Sequence, residues 1–252
     1  MSRARTIVAA AALAGCGGRA DRDPPRAQTE VARADAAAPA PTADAAPSLR
    51  QHMDEHFRAV AELQGAIVRG HLEQARAHAQ YLVEHDEHAA LDGWQPHVDA
   101  MRAAARAVSA APDLPTAGRL TAELGRACSG CHRAQRAVVA FAWAPVTDDD
   151  GSLAAQMRRH QWGAARMWEG LVGPSDPLWT EGAAALAASR LDVLAATRQG
   201  GPALTRDLAE RVHDLARTAA TVTTADGRAA LYGELLSTCA TCHQLNRDLP
   251  PR

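Results

Sequence analysis

Two copies of one five-residue pattern, C-x-x-C-H, hold four of the chain's five cysteines and constrain its fold more than any other feature. They are Cys128-Ser129-Gly130-Cys131-His132 and Cys239-Ala240-Thr241-Cys242-His243. This spacing is the attachment signature of c-type haem. The two thiols add across the vinyl groups of one haem, and the adjacent histidine offers its imidazole to the iron. Cys128, Cys131, Cys239 and Cys242 are therefore the expected covalent links to two haems c, with His132 and His243 as proximal iron ligands. A fold built around such groups needs fewer aromatic side chains, and Phe, Trp and Tyr together make up 4% of the chain. Half of a zinc site and a thioredoxin-like dithiol share the C-x-x-C spacing. A closed zinc site needs four ligands, however, and a dithiol has no use for an adjacent histidine twice.

The fifth cysteine bears on location. Arg3 and Arg5 precede the apolar run Ile7 to Leu13, and Ala14-Gly15-Cys16 follows. A positive start, a short apolar core and small residues make a secretory signal over residues 1–15, and the run is too short to span a bilayer. Leu13-Ala14-Gly15-Cys16 resembles the bacterial lipobox, which implies lipid on Cys16 and a tether to the membrane. Residues 16–47 are Ala, Pro, Asp, Arg and Thr without apolar period, so they read as a disordered linker. The expected location is the periplasmic side of a bacterial membrane or the cell surface. The formal net charge of −2 becomes −4 once Arg3 and Arg5 leave with the signal, which excludes a generally basic nucleic-acid binder.

The remainder reads as a duplication. Met53-x-x-His56 aligns with Met157-x-x-His160, and Ile67-Val68 with Leu171-Val172. Glu123-Leu124 before the first motif matches Glu234-Leu235 before the second. Leu49, Met53, His56, Val60, Leu63 and Ile67 recur at helical steps, with Ser48 as N-cap and Gly70 as stop. Further helices are expected from Leu72 to His85, from near Trp94 through Val108, and from about Thr116 to Ala140. The second copy repeats them over Leu153 to Leu171, Trp179 to Thr197, Leu204 to Val222 and Ala225 to Asn246. Nothing between these segments alternates like a strand. The expectation is an all-α fold of two tandem four-helix up-down bundles, residues 48–143 and 152–248, each enclosing one covalently bound haem c.

Four helices with C-x-x-C-H on the last resemble the cytochrome c-prime family. The family carries Arg four residues beyond the haem histidine, where this chain has Arg136 and Arg247. The resemblance covers most of residues 48–248. It implies that the first helix covers the far face of each haem, and it allows binding of nitric oxide or carbon monoxide. Arg136 and Arg247 then hold haem propionates, or serve as cations at helix ends. A tandem with a lipid anchor and a Met-x-x-His first helix departs from the family pattern.

The sixth iron position decides function, since a protein ligand suits electron transfer and an open site admits small ligands. Met53 and His56 share a helix face, as do Met157 and His160. Met53 and Met157 are the distal candidates, with His56 and His160 as the alternatives. His71, His78, His85, His88 and His97 read as solvated, and His85-Asp86-Glu87-His88 offers weak divalent-ion chemistry. The leading expectation is a non-enzymatic dihaem electron carrier serving exported or membrane redox proteins. A gas-binding or sensing protein is the alternative. A dihaem peroxidase ranks last, because no distal acid–base constellation is recognisable. Two haems in adjacent bundles allow electron hopping if their edges come close. A homodimer is left open.

Overall fold

The structure, a computed structural model, describes residues 48–85, 93–142, 145, 150–189 and 203–246. The signal, Cys16, the linker and Arg247 lie outside the described residues. So do Asp86 to His88 and the stretch beyond Ser189 into which the helix from Trp179 was expected to run.

Among the described residues every regular element is α-helical and no strand occurs. The helices are α1 (Leu49–Arg69), α2 (Leu72–Glu84), α3 (Gln95–Ser109), α4 (Leu114–Ala134), α5 (Leu153–Val172), α6 (Asp176–Ala188), α7 (Ala203–Ala219) and α8 (Ala225–Leu245). None is long and apolar enough to cross a membrane. The first four have 21, 13, 15 and 21 residues and the last four 20, 13, 17 and 21, so lengths recur in order. Consecutive helices of each run pack on one another.

Local chemistry sets the ends. The Ser48, Ser152, Ser175 and Thr224 hydroxyls accept from the backbone N–H three residues on, as N-caps do. Gly70 closes α1 at φ 78°, a left-handed conformation that glycine adopts without a Cβ penalty. At the end of α4 the same device falls on Arg136, at φ 52°. The Arg136 and Ala137 N–H groups donate to the Arg133 and His132 carbonyls and shut the helix six residues short of the expected Ala140.

The described residues belong to one compact unit. Its core is a single cluster running through Leu63, Ile67, Leu82, Val108 and Leu124 into Met167, Leu171, Trp179, Leu186 and Leu235. The most extensive link between the runs is the α4–α8 contact, and small residues let these helices approach closely. A Cβ on Gly118 would lie 3.0 Å from the Ser237 nitrogen, and one on Gly233 would lie 3.0 Å from the Arg119 Cα and 3.4 Å from the Ala122 Cβ. The Ser237 hydroxyl donates to the Pro115 carbonyl at one end, and Arg126 approaches Asp226 at 3.5 Å at the other. Early α4 thus meets late α8 and late α4 meets early α8, so the two run antiparallel.

Candidate functional site

Both C-x-x-C-H motifs end long helices, the first on α4 and the second on α8. Cysteines three apart on a helix share a face, and the following histidine sits beside them. All four cysteines are half-buried, and none of them forms a disulfide. Burial pushes the Cys128 and Cys239 thiols up to about 12 each, with the neighbouring cysteine adding to it. Burial also raises Cys242. Protonated thiols are poor nucleophiles and poor metal ligands, which counts against a dithiol exchange centre. Among the described residues neither cysteine pair joins a cluster of three or more potential metal ligands, so no closed zinc site forms around them.

The histidines of the two motifs sit differently. His132 is half-buried, and its Nδ1 lies 2.6 Å from the carbonyl oxygen of Val172, the last residue of α5. A ring held through Nδ1 leaves Nε2 to face a metal, the usual support for a ligating histidine. His243 is exposed at the end of α8.

Helix α5 brings His160 toward His243. His160 is 7% exposed. Burial lowers its pKa to about 4, a hydrogen bond to the Ser189 backbone opposes that shift, and His213 and His243 add to it. Its Nε2 is buried without a hydrogen-bond partner. The His213 ring lies 5.8 Å away, and its Nε2 is likewise buried and unpartnered. A buried imidazole nitrogen without a partner costs stability, and a metal ligand would offset that cost. Met157, its competitor for the sixth position, is half-buried one turn earlier on α5.

On α1 the buried residue of the first turn is His52, 1% exposed, rather than Met53, which is half-buried. Leu49 is 39% exposed, so the apolar stripe is rotated by about one residue there. His56 and His85 gather with His52, the ligand atoms of all three lying within 4.8 Å of one another. The expectation that His85 is a solvated side chain is thereby corrected, for its side chain is 14% exposed. Burial lowers His56 to about 3, with His52, His85 and Arg102 adding to the effect. Sequence reasoning passed over His52, Glu55 and His213. The first two form H-x-x-E-H with His56, a legible pattern, whereas His213 has no local signal.

Arg136 is exposed in its left-handed turn. Arg133, one turn earlier, reaches the Ser129 hydroxyl at 2.8 Å and borders a cleft of about 220 Å³ with Leu171, Asp176 and Arg228. Arg228, buried at 6%, pairs with Asp176 at 2.6 Å. The residues around the second motif fit a haem: paired thiols, a terminal imidazole, and a desolvated nitrogen on a facing helix. Around the first motif the thiols and the supported His132 fit in the same way.

Comparison with protein-family models, with curated proteins and with solved structures finds no match.

Proposed function

We propose that the chain is a dihaem c-type cytochrome that passes electrons. Each run of four helices holds one haem c, bound through Cys128 and Cys131 in the first and through Cys239 and Cys242 in the second. In this reading the runs are two four-helix bundles fused along α4 and α8. The observation that carries the reading is His160: a buried imidazole with Nε2 unpartnered, in electrostatic reach of the His243 motif. It favours His160 over Met157 as the distal ligand of the second haem. A haem iron there supplies one-electron exchange. The Ser189 backbone orients the His160 ring, and His132 is held in the same manner by the Val172 carbonyl. Lipid on Cys16 tethers the protein outside the bacterial cytoplasm, within reach of exported or membrane redox partners, a reading that rests on the lipobox alone.

The test is expression with export and the c-type maturation machinery, followed by mass and absorption measurements. Two haem additions per chain are expected, falling to one when Cys239 and Cys242 are both replaced by Ala. His160→Ala should turn one haem high-spin and open it to carbon monoxide, while Met157→Ala leaves the spectrum alone. A mature chain without haem mass would remove the proposal. A wild type already high-spin at both haems would favour the gas-binding alternative.

A further inference from the structure

Glu55 belongs with the three histidines at the start of α1. His52 and His56 are four apart, so they share a face of α1. The stretch His52-Met53-Asp54-Glu55-His56 has the arrangement by which metallohydrolase helices present two imidazoles to zinc with a glutamate between them. His85 comes from the end of α2, where Arg102 holds its carbonyl at 2.7 Å. The His85 Nε2 lies 3.3 Å from the His52 Nδ1 and 3.5 Å from the Glu55 Oε2. Two ligands about 2.0–2.1 Å from a tetrahedral zinc are about 3.4 Å apart. The two edges that meet at His85 therefore already have the length of coordination-tetrahedron edges.

We propose that His52, His56, His85 and Glu55 form a mononuclear site for a divalent transition-metal ion of the zinc class, separate from both C-x-x-C-H motifs. Imidazole suits zinc, copper and nickel, whereas calcium and magnesium need oxygen ligands throughout. The neighbours suit a closed site. The Tyr81 ring lies 4.9 Å from His85, and the buried Trp94 ring lies 6.4 Å from His52. The Glu55 carboxylate offsets one of the two charges of the ion, so a dication enters this half-buried place at lower cost than three imidazoles alone would allow. The inference does not depend on the haem reading, and it removes His56 from the candidates for the first haem's sixth ligand.

The experiment uses the mature, haem-loaded protein stripped with a chelator and titrated with Zn²⁺. Bound zinc is read by elemental analysis after desalting, and melting is followed by circular dichroism. One equivalent of zinc per chain is expected, with a rise in melting temperature that grows with zinc concentration. His85→Ala should weaken binding at least tenfold and abolish that rise, and Glu55→Gln should weaken binding by a smaller factor. Neither should change the haem absorption. His85→Ala is the primary variant, because His52 is fully buried and its loss can unfold α1. The proposal is overturned if the wild type and His85→Ala take up zinc equally, if neither takes it up, or if His56→Ala changes a haem spectrum.

Discussion

Arg166 and Glu169 lie one turn apart on α5 with side chains only 6% and 9% exposed, joined at 2.6 Å. Arg166 also reaches the Ala142 carbonyl at 3.3 Å. Burial raises the Glu169 carboxyl above its ordinary 4.5 even with the guanidinium beside it. A carboxyl whose folded pKa is raised holds its proton more tightly folded than unfolded. Its contribution is therefore most favourable below pH 4.5 and is lost as pH rises through the folded value. Arg166→Met should cost about 3–5 kcal/mol at pH 7, because it leaves a buried carboxylate uncompensated. The cost should shrink toward pH 4.5, and adding Glu169→Gln should remove most of the pH dependence. Urea unfolding at the two pH values measures this, and an equal loss at both would exclude charge as the cause. At this scale the chain is unevenly legible. The paired cysteines are plain because C-x-x-C-H is a pattern of fixed spacing. His52 was missed because residues one apart on a helix differ by only 100°, and Leu49, Met53 and His56 made an equally good stripe. The buried Arg166–Glu169 pair carries no mark that separates it from a solvated i,i+3 pair.

Among elements, the α4–α8 pair joins the two runs, and its glycines divide into two kinds. A Cβ on Gly130 meets nothing within 4 Å, whereas one on Gly233 meets the Arg119 backbone. Alanine in a helix is favoured over glycine by about 1 kcal/mol. Gly130→Ala should therefore stabilise by up to about that amount. Gly233→Ala gains the same propensity but overpacks a helix crossing at a cost of about 1–3 kcal/mol, so its net effect should be a loss. Melting temperatures that rise for both variants would show that the α4–α8 contact yields easily. Helix existence was legible throughout the described residues, since the 3.6 period, Ser48 and Gly70 all act locally. The end of α4 was not. Arg136 takes the left-handed position usually marked by glycine, and Ala137, Val138 and Val139 read as more helix although Val138 is 97% exposed. The packing of α4 on α8 was hidden as well. Ala122 and Gly233, each six residues before its motif's first cysteine, look like ordinary small helix residues until they touch across the crossing.

For the whole molecule, the antiparallel sense of that crossing decides what two redox centres in one chain can do. The first motif lies just beyond the Arg126–Asp226 contact and the second just beyond the Pro115–Ser237 contact, at the opposite end of the pair. At 1.5 Å per residue along α8, the motifs stand roughly 28 Å apart. Hopping between haems held at the two motifs would require their edges to come much nearer than these anchoring residues. Between the motifs lie apolar residues and the Trp168–Tyr232 ring pair, with centroids 5.5 Å apart. A unit charge gained at one motif changes the energy at the other by about 0.6 kcal/mol at an effective dielectric of 20. That is a shift of less than about threefold in the second centre's redox equilibrium. Replacing Cys239 and Cys242 by Ala should therefore leave the first haem's midpoint potential and band shapes nearly unchanged. The wild-type redox titration should then equal the sum of two independent one-electron curves. A single-motif variant whose remaining haem moves by tenfold or more in its redox equilibrium would mean that the centres are coupled, and would place the haems much nearer each other than their anchors. Independence would instead fit one redox partner at each end of the molecule, with each haem answering to the partner on its own side.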